Sequence, residues 1–174
     1  MHTHLLLHGS DAPTRHLPEG LAKALIGFHS GWRYFILVLL LLAIVYAYQA
    51  SKGKRPFAGA AKKMGMFTMI AADLQFLVGI VLYFFFLSRY TNLQMGKLKD
   101  QIGAPEFRTM ALDHALGMLI ALILIHIGYS KAKKETDPLK AGKKQFTFYL
   151  IALILILLSI PWPFLSVHAS RGWF

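Results

Sequence analysis

Arg33, Asp73, Asp113, His114 and His126 are the ionisable side chains that fall inside long apolar stretches of this 174-residue chain. Such a group needs a partner, a path to water or a cofactor, because an unpaired charge in hydrocarbon is expensive. His29 lies four residues before Arg33, so on a continuous helix the two share a face. That spacing suits a haem, with the imidazole on iron and the guanidinium on a propionate, since arginine meets a carboxylate with a two-pronged hydrogen bond. His114 opens a stripe with Gly117, Ala121 and Gly128, whose small side chains leave room for a flat ligand or a neighbouring helix. His29 and His114 are therefore candidate axial ligands of one haem, with Arg33 as the propionate partner.

A second group sits deeper. Asp73 and His126 fall at similar depth in two different apolar stretches. If they face each other, an aspartate accepting from His126 lowers the cost of burying either, as an interhelical pair or as a proton relay. His114 and His126 are twelve residues apart, a rotation of about 120° on a helix, so two haems stacked along it are disfavoured. Near the N-terminus, His2, His4, His8 and His16 carry imidazoles of the kind that copper or zinc accepts, but their spacing forms no compact site and reads as a solvated leader. Plainer readings stand beside the haem reading as well. His29-Ser30-Gly31 also fits a polar break before a span, Arg33 a side chain that snorkels to the head groups, and the Gly/Ala stripe a helix contact.

These residues are carried by four stretches of about 17 to 24 apolar residues, each long enough to cross roughly 30 Å of hydrocarbon. They cover residues 31–49, 65–87, 109–129 and 146–164. Hydrophobic residues make up 56% of the chain and charged ones 16%, the balance of a chain whose solvent is partly lipid. The stretches are apolar all round rather than alternating, which excludes a β-barrel. Without cysteine there is no disulfide framework, no Cys-ligated zinc or iron–sulfur cluster and no c-type attachment, so any haem is of the non-covalent b type.

The net charge of +11 is concentrated in two alternate loops. Lys52, Lys54, Arg55, Lys62 and Lys63 lie between spans one and two, and Lys131, Lys133, Lys134, Lys140, Lys143 and Lys144 between spans three and four. By the positive-inside bias both loops face the cytoplasm, and both termini lie outside. The lysines thus read as topology signals and contacts to anionic lipid, not as a nucleic-acid site. The expected fold is an all-α integral membrane four-helix bundle in a bacterial inner membrane. Residues 1–28 form an external leader with a short interfacial helix over 21–28, residues 29–166 the transmembrane domain and 167–174 an external tail. Pro161 and Pro163 end the fourth span. The segment Tyr48 to Ala71 echoes Tyr129 to Ala152, which fits either a repeat of two hairpins about an axis along the membrane normal or two basic loops alike by chance.

Certain segments also carry a resemblance. Phe28-His29-Ser30-Gly31-Trp32-Arg33, Asp73-Leu74-Gln75-Phe76-Leu77-Val78-Gly79, Asp113-His114-Ala115-Leu116-Gly117-Met118, Gly128-Tyr129-Ser130-Lys131 and Ser159-Ile160-Pro161-Trp162-Pro163-Phe164 resemble small four-span bacterial membrane proteins labelled cytochrome-b-like. The likeness extends over nearly everything after Ile26. It implies haem ligation by His29 and His114. Asp73 stands where such proteins often carry histidine, which argues against a second haem between spans two and three. The expected function is a b-type cytochrome, or haem-bearing subunit, moving electrons between a quinol and an external acceptor. Two other classes stay open: a non-redox scaffold subunit of a larger respiratory or transport complex, and an ion or metal carrier using Asp73, His126 and the external histidines.

Overall fold

The computed structural model describes residues 18–94 and 108–162. Among these, four helices are long and apolar enough to cross a membrane: α1 (Glu19–Ser51), α2 (Ala60–Gln94), α3 (Ala115–Lys134) and α4 (Pro138–Ser159). A single wide π-helical turn, Thr109–His114, runs directly into α3. The protein is thus an all-helical membrane bundle of two hairpins, α1–α2 and α3–α4.

The helices begin and end where local chemistry allows. Pro18, with an extended backbone, precedes α1, and no proline follows it before residue 56. The run 21–28, expected as a separate interfacial helix, is therefore the start of α1 itself, and no break marks the boundary drawn at residue 28. Gly53 ends α1 in the left-handed conformation, with φ of 70°. Its N–H donates to the Ala50 carbonyl and that of Lys54 to the Gln49 carbonyl, the paired bonds of a Schellman turn. At the other hairpin the Asp137 carboxylate accepts from the Leu139 and Lys140 amides, at 2.9 and 3.4 Å, and Pro138 takes the first helical position, where a missing N–H does no harm. That cap starts α4 eight residues ahead of the expected 146, so the lysines from Lys140 to Lys144 are helical. Ile160, extended and followed by Pro161, ends it.

The core lies between α1, α3 and α4. Leu40, Ala43 and Ile44 of α1 meet Ala121, Ile125 and Tyr129 of α3 and Tyr149, Ala152 and Ile156 of α4. In lipid no hydrophobic force drives helices together, so close packing and polar bonds must do it. Packing joins α1 to α4 through small residues: Ala43, Ala47 and Ala50 are fully buried, and the Gly142 backbone lies against Ala47, Ala50 and Ser51.

Polar bonds hold α2, which is the outlying helix. Tyr149 Oη donates to the Gly65 carbonyl at 2.8 Å, Trp32 Nε1 to that of Ala71 at 3.0 Å, and Gln75 Nε2 to that of His29 at 2.7 Å. Each uses the second lone pair of a helical carbonyl, leaving the helix's own bond intact. Around the bundle α1 packs on α2 and α4, and α4 on α3, whereas α2 and α3 form the loosest edge.

Candidate functional site

His29 of α1 and His114, the last residue of the π turn, meet across the bundle with ring centroids 6.2 Å apart and planes at 75°. The spans expected from the sequence put His29 just before the first and His114 about five residues inside the third, yet their depths agree because α1 begins early. At about 1.5 Å per residue, His29 stands roughly 33 Å from the Ser51 end of α1 and His114 roughly 30 Å from the Lys134 end of α3. Both therefore sit one hydrocarbon thickness from the lysine-bearing end. A π turn inserts one residue per turn and is favoured where a helix must re-aim a functional side chain. Tyr83 of α2 pins this one by donating to the Ala111 carbonyl at 3.2 Å.

The two imidazoles are held differently. His114 Nδ1 lies 2.9 Å from the Ser159 carbonyl of α4. A carbonyl only accepts, so Nδ1 carries the proton and Nε2 keeps its lone pair. His29 is approached closely by Gly79 of α2, where a Cβ would stand 3.1 Å from its Cε1. Its Nδ1 is buried without a hydrogen-bond partner in the protein, as is Oε1 of the adjacent Gln75. Arg33 starts one turn deeper, and its side chain reaches Tyr34 and Trp162. Nη2 donates to Tyr34 Oη at 3.1 Å, and the guanidinium carbon lies 4.8 Å from the Tyr34 ring centre and 5.9 Å from that of Trp162.

Two imidazoles from different helices, one with its Nδ1 held by a carbonyl and the other with its Nδ1 buried and without a partner, are a donor set that would suit a haem iron. Among the described residues no third His, Cys, Asp or Glu joins a metal-holding group. A closed tetrahedral site of protein donors is therefore not assembled among the described residues. Of the two readings of the small-residue stripe, the neighbouring helix is the one found. The Gly117–Gly128 stripe is filled by α4, because a Cβ on Gly117 would strike Ser159 and one on Gly128 would strike Phe148 and Tyr149. The small residues serve helix packing and leave no slot for a flat ligand on that face.

Asp73 and His126 are brought together as a pair, Nε2 to Oδ1 at 2.7 Å, across the loose α2–α3 edge. Their side chains keep 40% and 43% of their surface accessible. By helix rise they lie roughly 20 and 12 Å from the lysine-bearing ends of α2 and α3, well within the hydrocarbon layer, where a lone aspartate costs about 2.5 to 3.5 kcal/mol on insertion scales. Asp113 pairs instead with Arg108 at 3.7 Å on the exposed surface. His2, His4, His8 and His16 lie outside the described residues.

Gln75, Gly79, Tyr83 and the Ser159 carbonyl did not emerge from the sequence. For Gln75 and Gly79 a signal existed, since an amide and a glycine four apart in an apolar run mark one face for polar and close contact. A carbonyl acceptor and a π turn leave no such signal. No family model, curated protein or solved structure matches the chain.

Proposed function

We propose that the protein is a single-haem b-type membrane cytochrome, or haem-bearing subunit, of a bacterial inner membrane, passing electrons between a quinol and an acceptor on the outer side. His29 and His114 would hold the haem iron, and Arg33 would meet a propionate. The observation that carries this reading is the 6.2 Å spacing of two imidazoles from different helices. A bound haem supplies one-electron chemistry.

The residues of the chain do the rest. The Ser159 carbonyl, accepting from His114 Nδ1, fixes the tautomer and makes the opposite nitrogen more basic, as an outer-shell acceptor does for a ligating histidine. Gln75 ties the His29 backbone to α2, and Tyr83 holds the turn that delivers His114. Together they fix the His114 ring and the backbone that carries His29.

The test is the reduced-minus-oxidised absorption spectrum of the purified full-length protein, with a haem assay on the His114→Ala and His29→Ala variants. A sharp b-type α band, lost in each variant while the protein still elutes as a single folded species, is the expected result. A colourless protein that copurifies in fixed ratio with a large membrane complex would overturn the reading in favour of a scaffold subunit.

A further inference from the structure

Asp73 and His126 are unusual in that their pairing satisfies only one edge of each group. His126 Nε2 and Asp73 Oδ1 bond to one another, yet about two-fifths of each side chain remains open. The surrounding faces of α2 and α3 are aliphatic: Ile70, Leu74 and Leu77 on one, Ile120 and Ile123 on the other, all exposed. Bare lipid cannot solvate the remaining carboxylate and imidazole edges.

Just toward the lysine-bearing end, a cleft of about 210 Å³ opens between the same helices, lined by Gly59, Lys62, Lys63, Met66 and Tyr129. Tyr129 is one turn from His126, and Met66 two turns from Asp73. The cleft has room for several waters, and Met66 and Tyr129 in its lining belong to the two helices that carry the pair.

From this placement we infer that Asp73 and His126 form a proton-exchange site, reached by water from the lysine-bearing face through the α2–α3 cleft. On uptake, a proton from that water adds to the His126 imidazole, and the resulting imidazolium donates to the Asp73 carboxylate. Release reverses the step, with no other reactant. The charged groups around it set its balance. Asp73 is the carboxylate that faces the imidazole, and Lys62 and Lys63 stand at the mouth. Tyr129 of α3 lines the path, Tyr149 of α4 is turned to the Gly65 carbonyl, and α1 carries no titratable side chain between Tyr34 and Tyr46. The site stands independently of the haem reading, because it shares no residue with the histidine pair.

A chain without cysteine allows a direct test in the full-length protein held in lipid nanodiscs. Single Met66→Cys, Asp73→Cys, His126→Cys and Leu77→Cys variants are exposed to a small cationic methanethiosulfonate, which reacts with thiolates and hence where water reaches. Leu77 is the most exposed of the four positions and lies one turn beyond Asp73. Reaction at positions 66, 73 and 126 at least about tenfold faster than at 77 is expected. Because either pair variant could fail to fold, solvent exchange is followed alongside in the unsubstituted protein labelled with ¹⁵N-histidine. The His126 ring signals should respond reversibly when the solvent is changed to deuterium oxide, as expected of an imidazole that water reaches. Positions 73 and 126 as slow as 77, or a His126 signal unaffected by the change of solvent, would overturn the site and leave a structural pair sealed by lipid or by a second copy.

Discussion

At the scale of single residues, glycine positions separate contact from mere composition. A Cβ on Gly142 would stand 2.6 Å from the Ser51 amide nitrogen and 2.9 Å from the Ala47 carbonyl oxygen, and neither backbone atom can turn aside as a side chain would. Gly142→Ala should therefore destabilise the bundle by about 1 to 3 kcal/mol, the usual range for overpacking. Gly31, with nothing within 4 Å of its Cβ position, is the control, and its replacement by alanine should be neutral or stabilise by up to about 1 kcal/mol. Reversible unfolding in mixed micelles measures both, and equal effects would mean that α1 and α4 do not cross at Gly142. The sequence made the Gly117–Gly128 stripe visible because it lies in an apolar run. Gly142 stayed hidden because it sits among lysines, where nothing announces that the helix has already begun.

At the scale of elements, the α3–α4 turn shows how few groups set a helix start. Glu135 accepts from the Thr136 and Asp137 amides and from Lys144, and these bonds, the Lys144 ammonium foremost, hold its carboxyl below the ordinary glutamate range. Since the folded pKa is depressed, the stabilisation is complete above the unfolded value and fades as pH falls through the lower folded one. Amide exchange at Thr136 and Asp137, corrected for intrinsic rates, should accelerate in that acid window. Glu135→Gln should show the faster exchange already at neutral pH. A pH-independent profile in the unsubstituted protein would mean that the Lys144 bond does not hold the turn. The four spans were readable from hydropathy, which depends only on local composition. The way α2 is held was not, since its bonds run from side chains to distant carbonyls and are fixed only when helices meet. His29 and His114 were readable as residues, whereas their meeting depended on a helix start and a π turn that no local pattern encodes.

At the scale of the whole molecule, the two hairpins pack without matching closeness, for α1 lies tightly on α4 whereas the α2–α3 edge is loose. That asymmetry places the histidine pair at one end and the Asp73–His126 pair, with its cleft, nearer the other. Orientation in the membrane then decides which aqueous phase each faces, and the lysine-rich hairpin turns predict it. With no native cysteine to interfere, Lys54→Cys and Thr136→Cys at one end and Gly20→Cys at the other can be probed with an impermeant maleimide on intact cells whose outer membrane has been opened. Gly20→Cys should label at once, and the other two only after the membrane that holds the protein is breached. The reverse pattern would put the histidine pair on the cytoplasmic side, exclude an external electron acceptor and turn the α2–α3 cleft toward the outside. The sidedness of both sites follows from which face of the bilayer holds the lysines.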